Sequence, residues 1–224
     1  VKRGKMMKNK MVAVKRHTLL YRVLHWVIAA EIVLLLISGI GVSDYICATF
    51  ISRGGARGFH IVLGLAWIGT ITFFLYYFMM VGEYKWFGIS RIGSAIDFFV
   101  HELKSFIEGK KVKSPISYSA EEKKYVEKIV LTEVLAWWGW FALWIIMVLT
   151  GLALLFPESL NFINRFCFAL LPLSGRAVVA TRFIHLVVSM VFIVYIIIHA
   201  YASWTFGMVG SIFSGTNEEP ATND

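Results

Sequence analysis

Four long apolar runs constrain this chain more than any other feature of its sequence. They cover residues 23–42, 60–82, 134–156 and 183–209. Each run reaches the roughly 20 residues that a helix needs to cross about 30 Å of hydrocarbon. Because the hydrocarbon offers no water to satisfy backbone polar groups, a segment that crosses it must satisfy its own backbone. The sequence therefore predicts an all-α, polytopic membrane protein built as a four-helix bundle.

Composition agrees with a membrane protein. Hydrophobic residues make up 58% of the 224 residues and charged residues 16%, whereas a soluble domain carries about 25% charged residues. The first run follows a basic segment, as it would in a signal peptide. However, the run is too long and no A-x-A-like cleavage site follows it. We therefore expect it to be retained as a membrane helix.

The distribution of basic residues predicts the orientation. Eight of the 22 Lys and Arg residues lie in residues 1–22, and nine lie in the connection 83–133. The positive-inside rule places both segments in the cytoplasm, and four crossings return the acidic tail 210–224 to the same side. We attribute the formal net charge of +8 to this topology and to anionic lipid, and we predict no nucleic-acid site.

The cytoplasmic connection carries two local signals. The stretch SAIDFFVHELKSFIEGKK has apolar residues at helical spacing, which predicts an amphipathic helix on the membrane surface. Ser119 and Glu122 have capping-box spacing on the approach to the third membrane helix. The expected organisation is a basic segment (1–22), a membrane domain (23–209) and an acidic tail (210–224).

Histidines in hydrocarbon are costly and mark functional sites. Of the six histidines, we expect His17 and His101 to be solvated or at the level of the lipid headgroups. The other four lie at membrane depth. His60 and His185 are near the outer ends of their helices. His25 and His199 are near the cytoplasmic ends.

The spacing of the last two histidines is informative. His185 and His199 lie fourteen residues apart in one run. In an α-helix this separation is about 21 Å along the axis with a net rotation of about 40°, so both project from nearly one face. Depth then predicts two pairs across the bundle: an outer pair, His60 with His185, and an inner pair, His25 with His199.

Two such pairs suit a haem protein. Membrane histidines also serve proton relays and metal sites, but zinc or copper would need more donors at one level than the third helix supplies. A b-type haem needs two axial imidazoles and room for a flat macrocycle, and Gly64, one turn after His60, would give that room. Close helix packing explains three other glycines equally well: Gly39, Gly41 and Gly151.

An arginine precedes three of these histidines by three positions. At this offset a guanidinium could pair with a haem propionate through charge-assisted hydrogen bonds, although ordinary membrane topology would also place basic residues here. The three residues are Arg22, Arg57 and Arg182.

Several motifs carry a resemblance to a known family. In chain order they are YRVLHW, LISGIG, GFHIVLG, VLTG and IHLVVSMVFIVYIIIHAYASW. In these motifs the chain resembles the cytochrome b (gamma) subunit of membrane-bound formate dehydrogenases. That subunit belongs to a wider group with the cytochrome b subunits of nickel–iron hydrogenases and thiosulfate reductases. The likeness covers nearly the whole chain.

The resemblance implies an electron conduit in a prokaryotic cell (inner) membrane. Electrons would arrive from an iron–sulfur subunit, itself joined to a catalytic molybdenum or nickel–iron subunit. They would pass from an outer to an inner b-type haem and reduce a quinone near the cytoplasmic face. The outer haem would be held by His60 and His185, and the inner haem by His25 and His199. The complex could also form a higher oligomer.

The quinone site is predicted less sharply. The family motif, similar to Y-N-A-G-Q, contributes to quinone binding, and this chain has YSAEE from Tyr118 to Glu122 in its place. A hydroxyl of Tyr118 or Ser119 could bond a quinone oxygen, although Ser119 could equally be the helix cap noted above. Glu31, inside the first helix, is either a proton donor to quinone or a hydrogen-bonded structural acid.

Other interpretations remain open from the sequence. A hydrogenase or another molybdenum oxidoreductase could use a similar subunit, and a histidine-based transporter or metal relay belongs to a different class. A membrane anchor without cofactors would leave four histidines unexplained. The two cysteines, Cys47 and Cys167, are predicted on the outer side, where they could form a disulfide or remain unpaired.

Overall fold

The computed structural model describes residues 11–43, 52–110, 112, 114–172 and 175–222. Within these ranges the α-helices are α1 (Leu19–Val42), α2 (Arg53–Met80), α3 (Ile92–Ile107), α4 (Thr132–Leu155), α5 (Asn161–Leu170), α6 (Ala177–Thr205) and α7 (Val209–Ser214). The strands are β1 (Met11–Lys15), β2 (Ser117–Ser119), β3 (Lys124–Glu127) and β4 (Thr216–Thr222). Two 3-10 segments, Glu83–Phe87 and Ile89–Arg91, precede α3.

Four of the helices are long and apolar enough to cross a membrane. They are α1, α2, α4 and α6, with 24, 28, 24 and 29 residues and mean hydropathies between 1.9 and 2.4. The predicted all-α class with a polytopic helical bundle is therefore confirmed. The helix α2 begins earlier than its apolar run because Ser52 caps it, with the Ser52 hydroxyl accepting the Gly55 N–H at 3.3 Å.

The chain divides into two compact units. The first, here called the sheet unit, draws on residues 1–22, 82–137 and 201–224. The second, here called the helical unit, consists of residues 23–81 and 138–200.

The sheet unit brings three distant parts of the chain together. Its strand order is β1-β4-β2-β3. Strand β1 pairs antiparallel with β4, from Met11 opposite Pro220 to Lys15 opposite Thr216. Strand β2 pairs with β4 in parallel and with β3 antiparallel. The N-terminal segment, the central connection and the C-terminal segment thus share one sheet, which the sequence analysis did not predict.

Residues 216–222 were expected to belong to an acidic tail rather than to a strand. A tight turn at Gly215 starts the strand. Gly215 has a φ of 84°, and a Cβ there would lie only 2.9 Å from the His17 carbonyl oxygen. Its own carbonyl accepts the N–H groups of Arg16 and His17 at 2.8 and 3.1 Å. Glycine is therefore required at this junction, and it holds the tail beside the N-terminal strand.

The capping-box prediction is wrong about the element concerned. The Ser119 hydroxyl does accept the Glu122 N–H at 3.2 Å, but Ser119 ends β2 and Glu122 lies in the turn that leads to β3. The third membrane helix starts only at Thr132. There the Glu133 carboxylate accepts the Val130 N–H at 3.1 Å, which satisfies one of the free N–H groups at the start of the helix.

The predicted amphipathic helix in the central connection is α3. Its exposed apolar side chains recur at helical spacing: Ile96, Phe99, Val100, Leu103, Phe106 and Ile107. Its buried residues are Ala95 and Ser105. Such a stripe suits a membrane interface, although its location on the membrane surface remains a prediction.

In the helical unit, α5 is fastened to the two long helices that flank it in the chain. Asn164, fully buried, donates from Nδ2 to the carbonyls of Ala153 and Pro157, both at 3.3 Å. Its Oδ1 accepts the Thr181 hydroxyl at 2.7 Å. Cys167 is a buried free thiol that packs with Ala153, Ile163 and Ala180. Cys47 lies outside the described residues.

Candidate functional site

The structure brings the four membrane histidines together in two pairs within the helical unit. The ring centroids of His60 on α2 and His185 on α6 are 6.4 Å apart, with the planes at 80°. The centroids of His25 on α1 and His199 on α6 are also 6.4 Å apart, at 42°. These are the outer and inner pairs that helix depth and face had predicted.

Hydroxyl groups lie behind both rings of the outer pair. Ser38 Oγ is 3.0 Å from His60 Nδ1, and Thr150 Oγ1 is 2.8 Å from His185 Nδ1. The Ser38 hydroxyl also reaches the Leu35 carbonyl at 3.1 Å. A carbonyl cannot donate, so the Ser38 proton goes to that carbonyl and the oxygen accepts the imidazole N–H.

The same logic applies to Thr150. Its hydroxyl is 2.6 Å from the Ile146 carbonyl, so it donates there and accepts from His185 Nδ1–H. Both outer imidazoles then carry their proton on Nδ1. The lone pair of each Nε2 is left free to bind a metal.

Glycines next to these hydroxyls let the rings approach the helices. A Cβ on Gly39 would lie 3.4 Å from His60 Cε1, and a Cβ on Gly151 would lie 3.4 Å from His185 Cε1. Each outer ring therefore has the same two neighbours, a hydroxyl that accepts its hydrogen bond and a glycine that lets it approach the helix. These are Ser38 and Gly39 for His60, and Thr150 and Gly151 for His185. Gly64 differs, because a Cβ there would meet no neighbouring group within 4 Å in the described part of the chain. The space beside Gly64 is open.

The inner pair has a different environment. His25 packs edge-on against Trp26, with centroids 5.3 Å apart. His25 Nδ1 is buried and has no hydrogen-bond partner among the described residues. Within the same ranges, no residue is hydrogen-bonded to His199. No side chain of the described chain therefore fixes the tautomer of this pair.

An aromatic pair occupies the level between the two histidine pairs. Trp67 and Phe192 each follow an outer histidine by seven residues, which is about 10.5 Å along a helix. Their rings pack edge-on, with an interplanar angle of 74° and centroids 6.0 Å apart. Both side chains are buried. This contact separates the two sites by packed protein.

The spacing within each pair fits a haem. Two metal–nitrogen bonds of about 2 Å, with about 1.1 Å from each nitrogen to its ring centroid, put two axial imidazole centroids about 6.3 Å apart. Both observed centroid distances are 6.4 Å. Among the described residues no group of three or more His, Cys, Asp or Glu side chains could hold a bare metal ion. Each pair therefore offers a metal two protein ligands, the number that would hold a haem iron from two sides.

The arginines predicted to bind propionates have different surroundings. Arg57 and Arg182 are exposed in the helical unit. Arg22 belongs to the sheet unit, where its Nη1 donates to the Phe213 carbonyl and its Nε is buried without a hydrogen-bond partner among the described residues. The assignment of Arg22 to a propionate stays a prediction.

The residues predicted for quinone binding also have structural roles. Ser119 is fully buried and accepts the Glu122 N–H, and the Tyr118 ring packs edge-on against Tyr125, 5.3 Å away, in the sheet unit. In the helical unit, Glu31 Oε1 accepts the Thr70 hydroxyl at 2.9 Å. The second oxygen of Glu31 is buried with no hydrogen-bond partner in the described ranges.

Sequence reasoning missed Ser38 and Thr150. The signal was present in the motifs LISGIG and VLTG, where a hydroxyl residue directly precedes a glycine. The glycines were assigned to helix packing or to room for a macrocycle, whereas the structure places Gly39 and Gly151 against the imidazole rings.

Comparison with known proteins agrees with this geometry. The family model described as prokaryotic cytochrome b561 matches residues 16–211 of the 224. No curated protein matches the chain. Members of that family are membrane cytochromes that bind b-type haem, carry electrons and associate with redox partners. Because the match covers most of the sequence, the chain belongs to the prokaryotic cytochrome b561 family.

Proposed function

We propose that this chain is the di-haem cytochrome b subunit of a respiratory oxidoreductase, and that it passes electrons across the membrane to a quinone. The proposal depends on two observed histidine pairs, His60 with His185 and His25 with His199. In each pair the ring centroids are 6.4 Å apart. Each pair links two different membrane helices, so two macrocycles would be held at two heights.

In this proposal the outer pair, His60 and His185, would hold one haem iron, and the inner pair, His25 and His199, would hold the other. A bound haem supplies one-electron iron chemistry. The protein's part is to hold the four rings, to fix the outer tautomers through Ser38 and Thr150, and to exclude water.

Side chains beside the outer pair support the same assignment. Arg57 and Arg182 are exposed cations three positions before His60 and His185, so they are free to bind propionate carboxylates. The open space beside Gly64 would accept the edge of the macrocycle. For the inner pair, Arg22 is the corresponding cation in the sequence.

The orientation is part of the proposal. Strands β1, β4 and β2 hydrogen-bond in one sheet, which supports a common side for the N-terminus, the central connection and the C-terminus. The basic residues concentrated in 1–22 and 83–133 favour the cytoplasm for that side. Fusion of a reporter that is active only in the cytoplasm, at the C-terminus and in the loop between α1 and α2, tests this orientation.

The partners follow from the resemblance to formate dehydrogenase gamma subunits. We propose an iron–sulfur subunit as the electron donor and a molybdenum-containing formate dehydrogenase as the catalytic partner. A nickel–iron hydrogenase is the alternative partner. The proteins that co-purify with the native complex decide between them.

The test of electron transfer uses the purified full chain in detergent. The haems are first reduced with dithionite, and the excess reductant is removed. Addition of a soluble quinone should then reoxidise both haems, which is seen as the loss of their α bands. The quinone side chains remain candidates: Tyr118, Ser119 and Glu31. A spectrum that stays fully reduced after quinone addition would contradict the quinone-reducing role.

A further inference from the structure

The hydroxyls behind the outer pair affect more than ring orientation. Ser38 Oγ and Thr150 Oγ1 each accept a hydrogen bond from an imidazole Nδ1–H, at 3.0 and 2.8 Å. Such an outer hydrogen bond makes the opposite ring nitrogen a more basic, more electron-donating ligand. A more donating ligand stabilises the oxidised metal, which carries one positive charge more than the reduced metal. The reduction potential of the site therefore falls.

The inner pair has no corresponding hydrogen bonds in the described part of the chain. His25 Nδ1 is buried without a hydrogen-bond partner among the described residues. Among the described residues, only the outer imidazoles have a hydroxyl partner on Nδ1. The two pairs have the same ring separation of 6.4 Å, and the hydrogen bonds to Ser38 and Thr150 are a chemical difference between them.

The charges near the outer pair act in the opposite direction but weakly. Arg57 and Arg182 would favour the reduced metal and raise the potential. Both side chains are exposed, and exposed charges are screened by solvent and salt. A hydrogen bond made directly to the metal ligand is not screened in this way. We therefore expect the hydroxyls to decide the order of the potentials.

We propose that Ser38 and Thr150 are positioning residues that lower the reduction potential of the outer centre below that of the inner centre. This proposal rests on the di-haem function proposed above. Transfer then moves one electron from the outer to the inner centre, oxidising the first and reducing the second, with no bond made or broken. The donor is the iron–sulfur partner and the final acceptor is quinone, so the hydroxyls give the chain a downhill direction toward its inner end.

The test is a potentiometric titration of the full chain, followed at the α bands. In the wild type, the lower-potential component should be the one that survives in His199→Ala, which keeps only the outer pair. In the double variant Ser38→Ala/Thr150→Val, the one-electron equilibrium constant of the outer centre should shift about tenfold toward reduction, which is about 59 mV. The inner component should not move.

Matched variants separate this effect from simple damage. Thr72→Val removes an exposed hydroxyl on α2 that donates to the Ile68 carbonyl rather than to a histidine, so it should leave both potentials unchanged. Thr150→Ser keeps a hydroxyl and should restore the wild-type potential. If the double variant loses haem, the single variant Ser38→Ala should still raise the outer potential.

Two results would overturn the proposal. One is an outer potential equal to or above the inner one in the wild type. The other is an unchanged outer potential in variants that lack the hydroxyls but retain two haems. A wild-type chain with fewer than two haems would instead contradict the di-haem function, so haem content separates the two failures.

Discussion

Arg16, directly after β1, and Glu219, in β4, form a buried ion pair in the sheet unit. Arg16 Nη1 lies 2.8 Å from Glu219 Oε1, and the two side chains are only 4% and 2% exposed. Arg16 Nη2 also donates to the Lys128 carbonyl at 2.7 Å. One guanidinium thus joins the N-terminal segment, the central connection and the C-terminal segment.

Removing one partner of this pair should open the sheet. We expect Glu219→Gln to leave a buried, unpaired guanidinium and to cost about 3–5 kcal/mol. Since local opening exposes the chain to protease, the rate of tryptic cleavage near β1 should rise more than 100-fold, as about 1.4 kcal/mol corresponds to a factor of ten.

The matched control is Glu218→Gln, on the same strand. Glu218 is exposed, so its loss should leave the cleavage rate nearly unchanged. Replacing both partners by apolar residues, Arg16→Met with Glu219→Leu, should cost less than either single change. Equal cleavage rates for Glu219→Gln and Glu218→Gln would show that the ion pair does not hold the sheet.

Tyr125 predicts how the sheet unit responds to high pH. Burial raises the pKa of Tyr125 to about 12; the nearby Arg16 guanidinium opposes this shift, and the Glu219 carboxylate adds to it. Tyrosine in an unfolded chain ionises near 10. Above pH 10 the unfolded state therefore loses this proton before the folded state does, so stability falls as the pH rises from about 10 to about 12.

Tyrosinate absorbance and tryptic cleavage, both followed between pH 9 and pH 12, check this prediction. In Tyr125→Phe, one late-titrating tyrosine should disappear from the absorbance curve, and the cleavage rate should depend less steeply on pH. An identical pH dependence in the variant and the wild type would mean that Tyr125 is not the group responsible.

Asn164 should be a major source of stability in the helical unit. Its amide joins α5 to the Ala153 and Pro157 carbonyls and to the Thr181 hydroxyl. We expect Asn164→Ala to cost about 2 kcal/mol, since it leaves buried polar groups without partners. The buried thiol of Cys167 can report this loss, because maleimide reacts with it only after local opening. In a Cys47→Ser background, the temperature at which labelling begins should fall.

Asn161→Ala is the control for this prediction. Asn161 is exposed at the start of the same helix, so its replacement should leave the labelling temperature unchanged. If Asn164→Ala labels at the same temperature as Asn161→Ala, the hydrogen bonds of Asn164 do not hold α5 in place.

Gly64 tests whether the space beside the outer pair is used by a cofactor. A Cβ at this position meets no neighbouring group within 4 Å among the described residues, so we expect the protein itself to accommodate Gly64→Leu. If a macrocycle lies there, the same change should displace it and lower the haem content from two toward one. Gly69→Leu, also in open space on α2, should leave haem content unchanged. Full haem content in Gly64→Leu would place the macrocycle elsewhere.

The sequence was sufficient to predict the membrane helices and the partners of the histidines. Helix length follows from apolar composition, and the spacing of His185 and His199 fixes their shared face, so depth alone identified His60 and His25 as their partners. The helix ends were less predictable, since α2 and α6 begin several residues before the apolar runs.

The sheet and the hydroxyls were beyond this kind of reasoning. Strand β4 contains two glutamates and a proline, which do not favour a strand, and it forms because a segment about 200 residues away in the chain supplies its partner. The roles of Ser38 and Thr150 depend on helix rotation and on side-chain rotamers. Neither is fixed by the spacing of residues in an apolar helix.

The most direct test of the central claim is the haem content of the purified full chain, measured by pyridine haemochrome. The account predicts two haems per chain in the wild type, one in His185→Ala with the inner haem retained, and one in His199→Ala with the outer haem retained. A wild-type chain with one haem or none, or either histidine variant with two, would contradict it.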